Sequence, residues 1–198
     1  MCADIPRNAR ADFPYIIRRM MPADIPAVVN IDRTVFSDPW SESVYVEELY
    51  YNLHARYFVL QLADHIICRH ESVARNDRLV GFIGMRLESN HAHISTLGVH
   101  PHWQGQGLGD LLLNIAIQQA IAEEFSAATL EVRESNTVAQ HLYKTYDFIV
   151  VTRLRRYYED GEAALVMRAS PLDARYYRRL VARHAAILKR IAALCRCR

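Results

Sequence analysis

Val99-His-Pro-His-Trp-Gln-Gly-Gln-Gly-Leu-Gly109 joins two segments of different periodicity, and the rest of the chain can be read outward from it. Before it, His91-Ala-His-Ile-Ser-Thr-Leu-Gly-Val99 reads as a strand. After it, Leu108, Leu111, Leu112, Ile115 and Ala116 fall on one helical face, with Gln118, Gln119, Glu123 and Glu124 largely elsewhere. Gly105, Gly107 and Gly109 thus stand where a strand gives way to a helix. Unpaired backbone N–H groups and the positive end of the helix dipole converge at such a junction, which favours anions. Glycine permits unusual φ angles there and lets the backbone approach a pyrophosphate closely. Glycines also make plain turns, so this spacing alone supports an anion site and no more.

Upstream, Tyr15-Ile-Ile-Arg-Arg-Met20 reads as a short strand, and Pro22-Ala-Asp-Ile-Pro opens a helix carrying Ile25, Val28, Val29 and Ile31. Phe36-Ser-Asp-Pro-Trp40 is a loop, and Ser41 caps a helix to about Tyr51. Tyr57 to Leu62 and Leu79 to Leu87 are β-rich and pair across a long polar connection, Asp64 to Arg78. Downstream, Ala128-Thr-Leu-Glu-Val-Arg133 alternates, with Leu130 and Val132 on one face and Thr129, Glu131 and Arg133 on the other. Ser135 or Asn136 caps a short helix to about Tyr146. Phe148 to Tyr158 is a strand, and Asp160-Gly161 makes a hairpin turn into Ala163 to Met167. From Pro171 onward Tyr176, Leu180, Ile187, Leu188 and Ile191 mark an amphipathic helix. A strand meander followed by strand, helix, strand and helix predicts an α/β (α+β) sandwich around one mixed sheet rather than a doubly wound nucleotide fold.

With 51% hydrophobic and 23% charged residues, seven Gly and seven Pro in 198, the composition excludes a disordered or low-complexity protein. Asp4, Arg7, Arg10 and Asp12 interrupt any apolar leader, no stretch approaches a membrane span, and four scattered cysteines form no disulfide framework. A reducing, cytoplasmic setting is therefore expected. Residues 171 to 198 hold eight Lys or Arg against Asp173 alone, so that segment is +7 within a chain of net +2, and the remainder is −5. Such a tail meets something anionic or solvates one helix face.

The glycine segment lacks the Gly-Lys-Ser/Thr ending of an ATP-type loop and opens its helix late in a meander, which disfavours ATP and NAD. Gln-x-x-Gly-x-Gly after a Val-x-Pro strand end resembles the acetyl-CoA loop of the GNAT superfamily of N-acetyltransferases, complete here at Gln104, Gly107 and Gly109. Leu130-Glu-Val-Arg-Glu-Ser-Asn-Thr-Val-Ala-Gln-His-Leu-Tyr-Lys-Thr-Tyr-Asp-Phe148 resembles the second half of the same superfamily. It is most similar to the bacterial members that acetylate the N-terminal alanine of a ribosomal protein. Phe36 to Ser41 and Arg156-Tyr-Tyr-Glu-Asp-Gly161 are similar to that branch's substrate-side loops. The resemblance spans about residues 15 to 169. It leaves residues 1–14 as an N-terminal extension and 170–198 as a basic C-terminal helix outside the acetyltransferase domain.

The resemblance implies a mostly antiparallel central sheet flanked by helices, with the strands near Val99 and Glu131 splaying apart. It implies that the backbone of Leu97, Gly98 and Val99 pairs with the pantetheine arm of acetyl-CoA. Gln104, Gly105, Gln106, Gly107, Leu108, Gly109 and Asp110 then wrap the pyrophosphate, and Asn136 contacts the cofactor. It assigns Glu131 as general base, through a water, and Tyr143 as the acid that protonates the departing thiolate. The Val99 N–H would hold the oxyanion. Read from spacing alone, Glu131 is a solvent-facing strand residue and Tyr143 a packing aromatic. Trp40, Tyr157 and Tyr158 are candidates for the acceptor groove, or for packing. Two positions depart from the pattern: Asp147 stands where Gly usually precedes Phe, and Asp110 puts a carboxylate beside the expected phosphate.

The expected activity is acetyl transfer from acetyl-CoA to the N-terminal α-amino group of a protein, with a ribosomal protein beginning in Ala as acceptor. A lysine side chain or small amine is the rival acceptor. A non-catalytic CoA- or RNA-binding module is the rival class, with the basic tail on ribosomal RNA. His91 and His93 project to one face of a strand, with His100 and His102 nearby, yet no cysteine or second carboxylate cluster completes a ligand set. No metal is expected, and Cys195-Arg-Cys197 is read as two free thiols.

Overall fold

Residues 13–63 and 78–196 are described by the computed structural model. The N-terminal extension up to Asp12, the polar connection from Asp64 to residue 77, and Cys197 and Arg198 lie outside the described residues. Seven strands form one sheet: β1 (Tyr15–Arg19), β2 (Ala55–Leu62), β3 (Leu79–Leu87), β4 (Ala92–Val99), β5 (Ala128–Arg133), β6 (Ile149–Leu154) and β7 (Ala164–Ala169). Their order is β1-β2-β3-β4-β5-β7-β6, and every pairing is antiparallel except β4 with β5. The helices are α1 (Ile25–Val35), α2 (Glu42–Tyr50), α3 (Leu108–Ala122), α4 (Thr137–Lys144) and α5 (Ala174–Arg196).

Both faces of the sheet are covered at β2 and β3, which explains why these strands read as continuous apolar runs rather than alternating ones. Along β2, Phe58, Leu60 and Leu62 point into the cluster beneath α3, while Tyr57 and Val59 point into a second cluster beneath α1 and α2. Val28, Val29 and Tyr45 carry the helical side of that second cluster.

Helix α3 departs from the expected one-sided pattern. Leu113, Asn114 and Ile117 are buried together with Leu111, Leu112, Ile115 and Ala116. The cause is α5, which lies on the side that faces away from the sheet and adds Tyr176, Leu180, Ile187 and Ile191 to the same core. Asn114, a polar residue with no solvent exposure, is satisfied from α5: its Nδ2 donates to the Leu180 carbonyl (3.1 Å) and its Oδ1 meets His184 Nδ1 (3.0 Å).

The strand expected from Phe148 to Tyr158 is shorter, because Arg156 adopts φ 52° and turns the chain away after Leu154. Leu154 pairs with Ala164, so residues 155–163 form a loop rather than a two-residue turn. Gly161 sits within it at φ 82°, and the Tyr157 and Tyr158 N–H groups both donate to the Glu162 carbonyl. Thr129 is another difference: it is buried, although on the polar face of β5, because β4 lies across from it. Asp147 adopts φ 59° and ends α4 in the left-handed conformation that glycine takes most readily.

Candidate active site

Strands β4 and β5 pair over only three residues, Ala92 with Ala128, His93 with Thr129 and Ile94 with Leu130, yet β4 runs on to Val99 and β5 to Arg133. Beyond Ile94 the two part, leaving an opening in the sheet. The His100 N–H donates to the Val80 carbonyl on β3 (2.9 Å). Because backbone groups alternate along a strand, those of Leu97 and Val99 face the other way, into the opening, and Gly98 faces β3. One of them is already engaged: Gln104 Nε2 donates to the Val99 carbonyl (2.9 Å), tying the start of the glycine segment to the strand end. The Val99 N–H is left pointing at the gap.

The glycine segment follows a 3-10 turn at Pro101–Trp103. Gly105 has φ 74° and Gly107, the N-cap of α3, φ 84°, so both require conformations that side chains resist. Gly109 lies within the helix without positive φ, and a Cβ there would meet only ordinary contacts at 3.8 Å or more. The unusual φ angles expected at three glycines are thus confined to two. Among the described residues no side chain caps α3, which leaves its first N–H groups for an anion. Leu108 is buried in the core and offers the site only its backbone. Gln106 is buried, with Oε1 accepting from the Tyr15 hydroxyl (3.1 Å) and Nε2 without a partner among the described residues.

Asp110 in the first turn of α3 is held by three donors. The Tyr146 hydroxyl (2.6 Å) and Arg183 Nε (3.0 Å) reach Oδ1, and Arg190 Nη2 (2.8 Å) reaches Oδ2. Burial would raise its pKa, but the bonds from Tyr146, Arg183 and Arg190 outweigh it and hold the carboxyl below its ordinary value. The carboxylate that looked misplaced beside a phosphate is therefore neutralised from the C-terminal helix.

On the other side of the opening, Glu131 is partly exposed, and its Oε2 lies 3.2 Å from His93 Nε2 on β4. His93 Nδ1 meets Thr129 Oγ1 at 3.1 Å, which fixes the ring. This partner of Glu131 was missed in the sequence, where the register of two distant strands is not written locally. Tyr143 on α4 is buried and its hydroxyl makes no hydrogen bond among the described residues; burial, then Tyr158, pushes its pKa up. Tyr158 is pushed up to about 12, first by burial, with Tyr157, Glu131 and Glu162 adding and Arg133 opposing. Burial and then Glu131 raise Tyr157. Glu131, Tyr143, Tyr157 and Tyr158 thus share one electrostatic neighbourhood.

Arg133 holds the 155–163 loop over this place. Its Nη1 donates to Asp160 (2.7 Å) and Glu162 (2.8 Å), and its guanidinium lies 3.9 Å from the Tyr158 ring centre. Glu162 also accepts the Ser135 N–H (2.7 Å). That bond and Arg133 bring its pKa down to about 2. Asn136 caps α4, its Oδ1 accepting the Ala139 N–H (3.0 Å), which leaves its NH2 for a ligand. Trp40 belongs to a different group: its backbone N–H donates to buried Asp32 (2.7 Å) and its ring packs on Tyr45 (5.6 Å between centroids). The structure does not bring Trp40 into contact with the tyrosines of the 155–163 loop.

Ligand atoms of Glu88, His91 and His93 lie within 4.8 Å of one another, so the hairpin supplies a carboxylate beside the two histidines that their sequence neighbourhood did not reveal. Each is engaged within the protein: His91 Nε2 with Glu88 (3.0 Å), and His93 with Thr129 and Glu131. Among the described residues no helix is long and apolar enough to cross a membrane.

Residues 25–148 match the sequence model of the acetyltransferase (GNAT) family. The [ribosomal protein bS18]-alanine N-acetyltransferase of Escherichia coli K12 is 29% identical over 152 residues, covering 76% of this chain and 93% of that protein. An N-alpha-acetyltransferase of Sulfurisphaera tokodaii is 31% identical over 83% of this chain and 98% of its own length. The crystal structure of the Escherichia coli ribosomal-protein-S18-alanine N-acetyltransferase superposes with a TM-score of 0.66 at 27% identity, over 79% of this chain and 94% of that one.

Proposed function

This chain belongs to the acetyltransferase (GNAT) family, and from that membership and its site we propose that it transfers the acetyl group of acetyl-CoA to the N-terminal α-amine of a protein. The acceptor we propose is a ribosomal protein beginning with alanine, in keeping with the activity named for the Escherichia coli relatives. The cytoplasm is the proposed setting. The observation that carries the reading is the opening between β4 and β5, bordered by the free strand edge at Leu97 and Val99, by Glu131, and by the uncapped start of α3.

The residues present fit acetyl-CoA. A strand edge with unpaired backbone suits the amides of a pantetheine arm, and the left-handed turn at Gly105 and Gly107 leads bare N–H groups toward a pyrophosphate. Bound there, acetyl-CoA supplies the activated acyl group. The acceptor α-amine has a reference pKa of about 7.7–8.0, so at neutral pH it must lose a proton before it attacks. In this reading Glu131 takes that proton, directly or through a water, and His93 holds its carboxylate in place. The Val99 N–H stabilises the developing oxyanion. Tyr143 retains its proton well above neutral pH and donates it to the leaving sulfur. Tyr157 and Tyr158 wall the acceptor groove on a loop that Arg133 and Glu162 hold shut.

The basic helix leaves less charge for an RNA partner than its composition suggests, since Arg179, Arg183 and Arg190 are paired to Asp147 and Asp110. Arg175, Arg178 and Lys189 remain exposed for the proposed contact with ribosomal RNA, which sedimentation with ribosomes at low and high salt tests. The main test incubates the protein with acetyl-CoA and a panel of Ala-started peptides, lysine peptides and polyamines, and identifies the acetylated atom by mass spectrometry. Acetylation confined to small amines or lysine side chains would overturn the proposed acceptor.

A further inference from the structure

We infer that Arg190 of helix α5 is a phosphate ligand of acetyl-CoA, supplied from outside the segment that matches the family, residues 25–148. This rests on the acetyl-CoA reading above. The guanidinium lies directly on the glycine turn: a Cβ built on Gly107 would come within 2.5 Å of Arg190 Nη2 and 3.1 Å of its Cζ. It is thus seated at the N-cap of α3, beside the helix's first N–H groups, which no side chain caps among the described residues.

The two arginines that reach Asp110 are not equivalent. Arg183 is engaged within the protein at all three of its nitrogens, with Nε on Asp110, Nη1 on the Thr145 carbonyl (3.3 Å) and Nη2 on Thr145 Oγ1 (2.8 Å), and its Cζ lies 4.2 Å from the Tyr146 ring centre. Arg190 uses Nη2 alone, on Asp110, and half of its side chain faces solvent. A guanidinium has five N–H donors in a fork that matches phosphate, so most of those of Arg190 remain available. Two arginines against one carboxylate leave this turn one positive charge in excess. The position does not depend on the ion pair, because Ile187 and Ile191, on either side of Arg190 in sequence, are buried in the main core.

The experiment titrates acetyl-CoA and S-acetylpantetheine, which lacks the pyrophosphate, into wild type, R190A, R190K and D110N by calorimetry, with a thermal melt of each. R190A should weaken acetyl-CoA about 10- to 100-fold, the range of a lost charge-assisted bond, and leave S-acetylpantetheine unchanged. R190K should recover part of the loss. D110N breaks the same ion pair while keeping the guanidinium and takes a carboxylate away from beside the phosphates, so it should bind acetyl-CoA more tightly than wild type. If Arg190 merely clamps the helix, R190A and D110N weaken acetyl-CoA alike, and the inference is overturned. Wild-type affinity in R190A overturns it too. A wild-type protein that fails to bind acetyl-CoA at all would instead remove the proposed function, and the inference with it.

Discussion

Replacing Glu131 by Gln isolates the charge from the shape. The amide keeps the length of the side chain, its contact distance to His93 (3.2 Å) and the pairing of β5 with β7 through Val166, so the fold and the cofactor side of the opening are undisturbed. The capacity to take a proton is lost. A positioned general base contributes about 10²- to 10⁴-fold, or about 2.7–5.5 kcal/mol of barrier at 1.36 kcal/mol per decade. The expected outcome is a fall of kcat by that factor at pH 7, with acetyl-CoA affinity and melting temperature as in wild type. The deficit should narrow as pH rises through about 8, because more of the acceptor amine is then already deprotonated. A continuous thiol-release assay with an Ala-started peptide, run from pH 6.5 to 9.5 beside a calorimetric titration of acetyl-CoA, reads all three quantities. A variant within threefold of wild type at pH 7 would refute the assignment of the base. So would one whose deficit is independent of pH.

Tyr143→Phe removes a hydroxyl that bonds to nothing among the described residues, so it should leave the melting temperature unchanged and lower kcat about 10²-fold, measured by the same assay. Gly107→Ala forces a side chain into φ 84° and against Arg190, and should cost about 1–2 kcal/mol, a drop of about 2–8 °C in the melt. Gly109→Ala, inside the helix with room for its methyl, should instead raise stability by about 0.5–1 kcal/mol. Asp110 has its folded pKa held below the unfolded value near 3.9, so its stabilising share is complete above that pH and is lost as pH falls through the folded pKa. Acid unfolding followed by circular dichroism should show this loss below about pH 4 in wild type and a flatter curve in D110N. Ile187→Ala, under α5, should destabilise by about 2–5 kcal/mol in urea titrations.

The period of two in Ala128 to Arg133 and the change of period across Val99 to Gly109 were enough to read a strand and a strand-to-helix junction, because both signals are local. What escaped is non-local or stereochemical. The His93 contact with Glu131 depends on which residues of β4 and β5 face each other. The burial of Leu113, Asn114 and Ile117 depends on a helix sixty or more residues later in the chain. The early end of β6 follows from positive φ at Arg156, a residue type that gives no warning of it. Asp110 looked like a flaw beside a phosphate until Tyr146, Arg183 and Arg190 were seen to converge on it.

The brief pairing of β4 with β5 also has a mechanical meaning. The sheet is two panels, β1 to β4 and β5 to β7, and only Ala92, His93 and Ile94 are stitched to Ala128, Thr129 and Leu130 along the seam. A ligand lying against the free edge of Leu97 and Val99 would lengthen that seam, so the molecule delivering the acyl group would also fasten the two panels together. Opening along this line would be the least costly way to breach the sheet, and amide hydrogen exchange at Leu97 and Val99 would report whether the panels are fastened or free.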